Sequence, residues 1–223
     1  FTLVHGPEFL EELGCGTGRI QEYLYEKGWN ITGIDYSREM LRFSKKSRYS
    51  PTAEMDMRSL GFSCCFDTVL IPHNTLNLIG NIEDISACLI EVQRILTPGG
   101  ILVLHLFVPD EELLKQPGKR HFQFSLFDIL PKKKLIKETI RMYDGKTAQL
   151  LLEERYKFRS FNAPEENRNF SQSLKLSAIP FKTWKNILEK TGFRLITAHA
   201  AFSGTPFIEG KSSTLIIKAE MRD

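Results

Sequence analysis

Three glycines alternate at Gly14, Gly16 and Gly18, directly behind the apolar approach of Phe9, Leu10 and Leu13. No other stretch limits the fold so tightly. Glycine has no Cβ and tolerates positive φ, so an incoming strand can turn sharply here and a ligand can touch the backbone. Ile20, Leu24 and Tyr25 then open a helical spacing. The free N–H groups and positive dipole end of that helix would face the same ligand. A second strand is read over Asn30–Ile34, followed by Asp35, whose carboxylate can accept hydrogen bonds from two ribose hydroxyls. Strand, glycine turn, helix, strand and acid in that order suit a nucleoside ligand held by a βαβ unit. The spacing is G-x-G-x-G rather than the G-x-G-x-x-G of dinucleotide binders, and Glu12 stands two residues ahead of the first glycine.

Bulk properties narrow the class. The 223 residues fit one domain, 1–223, carrying an inserted β-rich subdomain over 109–180. A net charge of +3 is too small to argue for nucleic acid or a membrane surface. No segment approaches the roughly 20 uninterrupted apolar residues of a membrane span, and no signal peptide is read. Cys15, Cys64, Cys65 and Cys88 show no C-x-x-C spacing, so reduced thiols in a cytoplasmic protein, without a metal, are expected. Phe1–Glu8 carries a turn signal at Gly6-Pro7, and the charge at Glu11 inside an apolar strand suggests a join near that residue.

Further along, a helix from Arg19 to Lys27 ends at Gly28. Ser37 is placed to cap a helix with Met40, Leu41 and Phe43 on its apolar stripe. Ser50-Pro51 breaks that helix, and Thr52–Met57 reads as a short third strand carrying Asp56. Phe66–Ile71 is a near-continuous apolar run, as in a parallel strand covered on both faces. It leads into Pro72-His73-Asn74-Thr75-Leu76-Asn77, which should face the reacting centre, because ligands of doubly wound sheets sit beyond the strand carboxyl ends. Asn81 and Asp84 begin a helix burying Ile85, Leu89, Val92 and Leu96, stopped by Thr97-Pro98-Gly99-Gly100 before a fifth strand, Ile101–Val108. A helical turn follows over Asp110–Lys115.

From His121 to Ile179 the apolar period becomes two. One strand carries Ile136, Ile140 and Met142 on one face. A second carries Leu150, Leu152, Tyr156 and Phe158 after a turn at Asp144-Gly145, and a third carries Phe170, Leu174, Leu176 and Ala178. The apolar face of this antiparallel meander must cover the active-site mouth or a partner subunit. Pro180 opens a last helix with Trp184, Ile187 and Leu188 inward and Gly192 as its stop. Phe193–Ala201 and Ser213–Ala219 close the chain as a hairpin at the sheet edge.

Three motifs, Glu12-Leu13-Gly14-Cys15-Gly16-Thr17-Gly18, Asp35-Tyr36-Ser37-x-x-Met40-Leu41 and Leu96-Thr97-Pro98-Gly99-Gly100, resemble those of the class I S-adenosylmethionine-dependent methyltransferases. Their first motif is commonly E/D-x-G-x-G-x-G, and the resemblance runs from about Phe9 to the C-terminus. It implies an α/β fold: a doubly wound, mostly parallel, seven-stranded Rossmann-like sheet with an antiparallel C-terminal strand and an inserted antiparallel β-meander. It implies S-adenosylmethionine as cofactor and S-adenosylhomocysteine as its product. Gly14, Gly16 and Gly18, with Cys15 and Thr17, would lie along the methionyl portion, and Glu12 near its amino group. Asp35 would hold the ribose, Tyr36 and Met40 would pack on the adenine with Ser37 beside them, and Asp56 and Met57 would read the adenine edge. A surface-loop carboxylate is the other reading of Asp56. Pro72 and His73 would close the cofactor site.

His73 is the candidate base, the alternative being a loop histidine bonded to backbone or touching only the cofactor. Asn74 would position a substrate polar group or cap a turn. His105 reads as structural, although one end of its strand borders the cleft, and His121 and Tyr156 as residues of the insert that would reach the mouth; Lys132–Lys134 reads as a solvated turn, with a phosphate or nucleic-acid contact the second reading. The loop after the fourth strand lacks the Asn/Asp-Pro-Pro-aromatic run of base amine methyltransferases and the Pro-Cys of cytosine C5 enzymes. A small-molecule substrate, with no nucleic acid and no membrane partner, is therefore expected. The insert is similar to that of small-molecule N-methyltransferases acting on amino sugars or glycine-type amines. The expected activity is methyl transfer to N or O of a small molecule, with homodimerisation through the insert one option. The rivals are a non-catalytic cofactor-binding protein and an NAD-type oxidoreductase, the latter disfavoured by the glycine spacing.

Overall fold

The computed structural model describes residues 9–44, 51–63 and 66–222. The Gly6-Pro7 turn, the break at Ser50 and the Cys64-Cys65 pair lie outside them. β1 (Phe9–Leu13) leads through the glycine turn into α1 (Arg19–Glu26), then β2 (Asn30–Asp35), α2 (Arg38–Ser44) and β3 (Thr52–Glu54). β4 (Phe66–Ile71), α3 (Ile82–Ile95) and β5 (Leu96–Phe107) complete the parallel half, and a short α4 (Glu111–Lys115) follows. Four strands make the insert: β6 (Arg120–Leu130), β7 (Lys133–Asp144), β8 (Gln149–Ser160) and β9 (Arg168–Ser177). α5 (Phe181–Lys190), β10 (Phe193–His199) and β11 (Thr214–Met221) end the chain.

The main sheet runs β10-β11-β5-β4-β1-β2-β3. β1 pairs with β2 on one side and β4 on the other, both parallel, so the strand order reverses beside β1. Ligand crevices form at such a point. One face packs Leu13, Val69, Leu89, Leu102 and Trp184 into the principal core, while Leu10, Trp29, Ile31 and Leu70 fill the other face. β11 is antiparallel to both β5 and β10. It therefore lies one strand in from the edge, and β10 with β11 forms the antiparallel edge hairpin that the sequence suggested. Its run of Leu215, Ile216, Ile217 and Ala219 is fully buried, and such a run needs cover on both faces. The less buried β10 takes the edge.

Some expectations needed correction. β3 stops at Glu54, so Asp56 stands in a turn beyond it. α3 ends at Ile95, and Leu96 instead begins β5, whose register against β4 shifts between Phe66 and Thr68 to absorb the Thr97-Pro98-Gly99-Gly100 kink. In α2 only Leu41 of the expected apolar stripe is buried, while Met40 and Phe43 are exposed.

The insert is a separate antiparallel sheet in the order β6-β7-β8-β9. Three of its strands were read from sequence. β6 was not, because the β6–β7 turn uses Lys132 (φ 64) in the left-handed position that glycine usually marks. The register sets Tyr143, Leu150 and Leu176 opposite one another, and these pack with Phe107, Leu113 and Ala178 as the seam between insert and main sheet. It also pairs Ile140 with Glu153 and Arg141 with Leu152. Ile136, Ile140 and Met142 therefore share the face opposite to Leu150 and Leu152, against the sequence expectation of one apolar side.

Asn77 fastens the two sheets together. Fully buried, its Nδ2 donates to the carbonyls of Phe107 (2.9 Å) and Ser177 (2.8 Å), and its Oδ1 accepts from the Phe107 N–H at 3.0 Å. The Ser177 hydroxyl donates to the Ile79 carbonyl at 2.6 Å, so the last strand of the insert is bonded to the loop after β4.

Candidate active site

β1 delivers two adjacent carboxylates into the interior. Glu11 faces away from the cavity and accepts from the Thr32 hydroxyl; Glu12 is 2% exposed and its Oε2 has no partner among the described residues. Burial pushes both carboxyls up to about 8. For Glu12 the charge of Glu11 adds to the rise and Arg19 opposes it.

The chain then turns with Gly14, Gly16 and Gly18 at φ 78, 58 and 81. The Gly14 and Cys15 N–H groups donate to the Ile34 carbonyl at 2.8 and 2.9 Å, fastening the turn to β2. A Cβ on Gly14 would collide with the Thr75 side chain, whereas one on Gly16 would meet only the Met40 methyl at 3.5 Å. Gly14 is therefore demanded by packing as well as by φ, and Gly16 faces the open side of the turn. The Cys15 thiol is pushed up to about 12, mainly by burial, which makes it inert.

Asp35 closes the next corner. Its Oδ2 accepts from the Gly16 N–H at 2.8 Å and its Oδ1 from the Ser37 N–H at 2.7 Å. The carboxylate is thus fixed in place by backbone while keeping lone pairs for a ligand. The Ser37 hydroxyl caps α2 through the Met40 N–H at 3.3 Å, which explains why helix α2 starts here.

A cavity of about 880 Å3 opens where these pieces meet, at the carboxyl ends of β1, β2 and β4. Glu12, Gly14, Cys15, Gly16 and Thr17 line it from the turn. Asp35, Tyr36, Ser37 and Met40 line it from beyond β2, with Asp56, Met57 and His73 at its other walls. Gly18, Pro72 and Asn74 stand outside the lining. Gly18 forms the left-handed N-cap of α1, the Pro72 carbonyl accepts from Thr75, and Asn74 (φ 61) caps the short turn Thr75–Leu78 while its N–H donates to the His105 carbonyl at 2.9 Å.

Arg19, Arg58, Thr75 and Leu174 also line the cavity; the sequence placed Thr75 in the loop facing the reacting centre, and gave no sign of the other three. Arg58 chelates Asp56 at 2.7 Å and reaches Asp84 at 3.0 Å, so Asp56 is an ion-paired carboxylate held below its usual range, chiefly by the Arg58 side chain. Leu174 comes from β9 and could be placed only once the insert was folded over the site. Arg19 donates to His73 Nε2 at 3.0 Å. Since a guanidinium only donates, that nitrogen is the acceptor and the ring proton sits on Nδ1. Burial, then the Arg19 charge, hold His73 below the ordinary histidine range. His105 is likewise lowered, by burial first, its Nδ1 is buried without a partner among the described residues, and Phe202 packs edge-on at 5.3 Å. His105 lies 6.0 Å from His73, centroid to centroid. The Lys132–Lys134 turn is solvated, with Lys133 and Lys134 paired to Glu166 and Asp128. Tyr156 bonds Glu154 at 2.7 Å and is not part of this lining.

Residues 12–104 match the family profile described as a methyltransferase domain. The sheet order and the glycine turn agree with that match, and together they support an S-adenosylmethionine-dependent methyltransferase. Among curated proteins it is similar to the putative methyltransferase YqeM of Bacillus subtilis (strain 168), with 28% identity over 220 residues, 94% of this chain and 82% of that protein. Among solved structures it superposes on an S-adenosylmethionine-dependent methyltransferase from Clostridium acetobutylicum with a TM-score of 0.81, at 16% identity over 98% of this chain and 85% of that one. It also superposes on the S-adenosylmethionine-bound amino pentose methyltransferase CalS10 of Micromonospora echinaspora with a TM-score of 0.76, at 19% identity over 96% and 84%.

Proposed function

We propose that this methyltransferase acts on the amine nitrogen of a small molecule, with the cofactor lying along the glycine turn. The residues fit that cofactor. The unpartnered Glu12 oxygen suits its cationic amino group, the backbone-fixed Asp35 suits ribose hydroxyls, and Tyr36, Met40 and Met57 offer apolar contact to the base. Asp56 would receive the adenine amino group only while sharing its charge with Arg58. When bound, the cofactor supplies a methyl on a cationic sulfur with a neutral leaving group.

The protein's own work is then to orient the acceptor, exclude water and take a proton. The observation carrying the amine reading is His73, on the cavity rim with no carboxylate partner among the described residues; Arg19 occupies its one acceptor nitrogen, so the ring takes up the proton as that contact opens. A weak base of that kind matches removal of a proton from an ammonium, not ionisation of an alcohol. The amino pentose acceptor in the name of one structural relative supports the same class.

Turnover of a panel of primary amines and matched alcohols tests the reading. Methylation of amines alone is expected, with His73→Ala lowering kcat by about tenfold to a hundredfold and leaving the S-adenosylhomocysteine Kd within about twofold. Methylation of alcohols alone, or full turnover by the variant, would contradict it.

A further inference from the structure

One rung of the insert crosses all four strands. His121 on β6 faces Arg141 on β7, Arg141 faces Leu152 on β8, and Leu152 faces Leu174 on β9. The rung ends in two cavities. Leu174 lines the main one, while His121 and Arg141 line a second of about 60 Å3, walled by Phe107, Leu150 and Ser213. Adjacent strands stand about 4.8 Å apart, so Arg141 lies about 10 Å along the sheet from Leu174. A substrate that engages both must therefore carry a second polar group about 10 Å from the end that lies against Leu174.

Arg141 is unlike the other arginines of the insert. Arg120 and Arg155 pair with Glu153, and Arg159 and Arg168 donate to carbonyls. Arg141 forms no hydrogen bond or ion pair among the described residues, and its Nε is buried. Across the rung, His121 Nε2 is buried and equally unpartnered. Two polar groups without protein partners on one cavity wall are free to bond a ligand there, and such a bond would offset their lost hydration. We propose that Arg141, with His121 beside it, binds a carboxylate of the substrate, so that the methyl acceptor is an amine that also carries a carboxyl group.

Two features favour a carboxylate over a phosphate. A planar fork of N–H donors matches two coplanar oxygens, and about 60 Å3 holds a group of a few atoms. Asp110 and Glu112 also border this cavity. Asp110 is engaged in capping α4 through the Leu113 N–H at 2.8 Å, but both charges repel a dianion more than a monoanion.

The proposal rests on the reading that the insert roofs the substrate space, and its test does not depend on turnover. The Arg141 side-chain Nε–H resonance, assigned by its loss in Arg141→Gln, is followed while full-length protein is titrated with sodium acetate. Sodium phosphate and sodium chloride at matched ionic strength are run in parallel. Saturable movement of the Arg141 and His121 resonances by acetate, at millimolar concentrations and not by chloride, is expected. Arg141→Gln should weaken acetate binding by about tenfold or more, and Arg141→Lys, which keeps the charge but loses the fork, should recover part of it. Resonances that do not move, or that move equally with chloride, would overturn the proposal. Tighter binding of phosphate than acetate would overturn the carboxylate assignment. S-adenosylhomocysteine affinity, measured on the same samples, should be unchanged in Arg141→Gln; its absence in the wild type would count against the cofactor site and leave the anion result standing.

Discussion

At the scale of single residues, Glu12 has the sharpest consequence. Its carboxyl, pushed up to about 8 by burial, is mostly protonated near neutrality. A cationic amino group beside it would favour the ionised form and draw its pKa down. Binding therefore releases a proton below pH 8, and affinity for S-adenosylhomocysteine should rise as pH is raised towards about 8. Calorimetry in buffers of different ionisation enthalpy would show the released proton. Glu12→Gln should bind more weakly and lose the rise, and a flat profile in the wild type would count against the amino-group role. The same shift bears on folding. Between the ordinary carboxylate value and about 8, folded Glu11 and Glu12 hold protons that the unfolded chain has lost, so stability falls as pH rises through that window. Glu12 and Asp35 were legible in the sequence because motif spacing fixes them. Arg19 and Arg58 were not, since nothing in their neighbourhood shows that they turn toward His73 and Asp56.

At the scale of elements, the glycine turn and the loop after β4 are built against each other. The Gly14 Cα faces the Thr75 side chain, and Thr75 in turn donates to the Pro72 carbonyl at 2.5 Å. Gly14→Ala should cost about 2–4 kcal/mol, from positive φ plus the collision. Adding Thr75→Ser removes the clashing methyl while keeping the hydroxyl, and should recover about 1 kcal/mol or more of that loss. Denaturant unfolding of the single and double variants measures both, and an additive double variant would deny the contact. Strong periodicity made most elements readable: α1, β4 and the helix after Asn81 appear with nearly their expected limits. The misplacements, β3, the start of β5 and the missing β6, fall where Gly and Pro signals were absent or sat inside a strand. The position of β11 inside the sheet follows from strand pairing, which the linear pattern does not encode.

At the scale of the whole molecule, the insert presents one face to the main sheet and the other to solvent. Phe122, Phe124 and Leu126 of the edge strand β6 alternate on the outer face and are 65%, 56% and 50% exposed. A homodimer through the insert, one option read from the sequence, would use this surface, because an apolar edge strand invites strand pairing. Light scattering should report a dimer that Phe124→Lys shifts toward monomer; a monomeric wild type at high concentration would dispose of the idea. The inner face is held by the apolar seam, by the Ser177 hydroxyl and by the buried amide of Asn77. Asn77→Leu strips partners from the carbonyls of Phe107 and Ser177 and from the Phe107 N–H, and should cost about 3 kcal/mol. Hydrogen exchange should speed up in β9 while β1 and β2 stay protected, and unchanged exchange in β9 would mean that the seam of Tyr143, Leu150 and Leu176 suffices alone.

That single amide couples floor to ceiling. The segment beginning at Pro72 touches the cofactor cavity through His73 and Thr75, then grips β9 through Asn77 a few residues later. Occupancy below would steady the canopy above, and by reciprocity a guest beneath the canopy would steady the cradle by the same amount. A chain wired in this way should take up its two reactants as collaborators, each tightening the hold on the other.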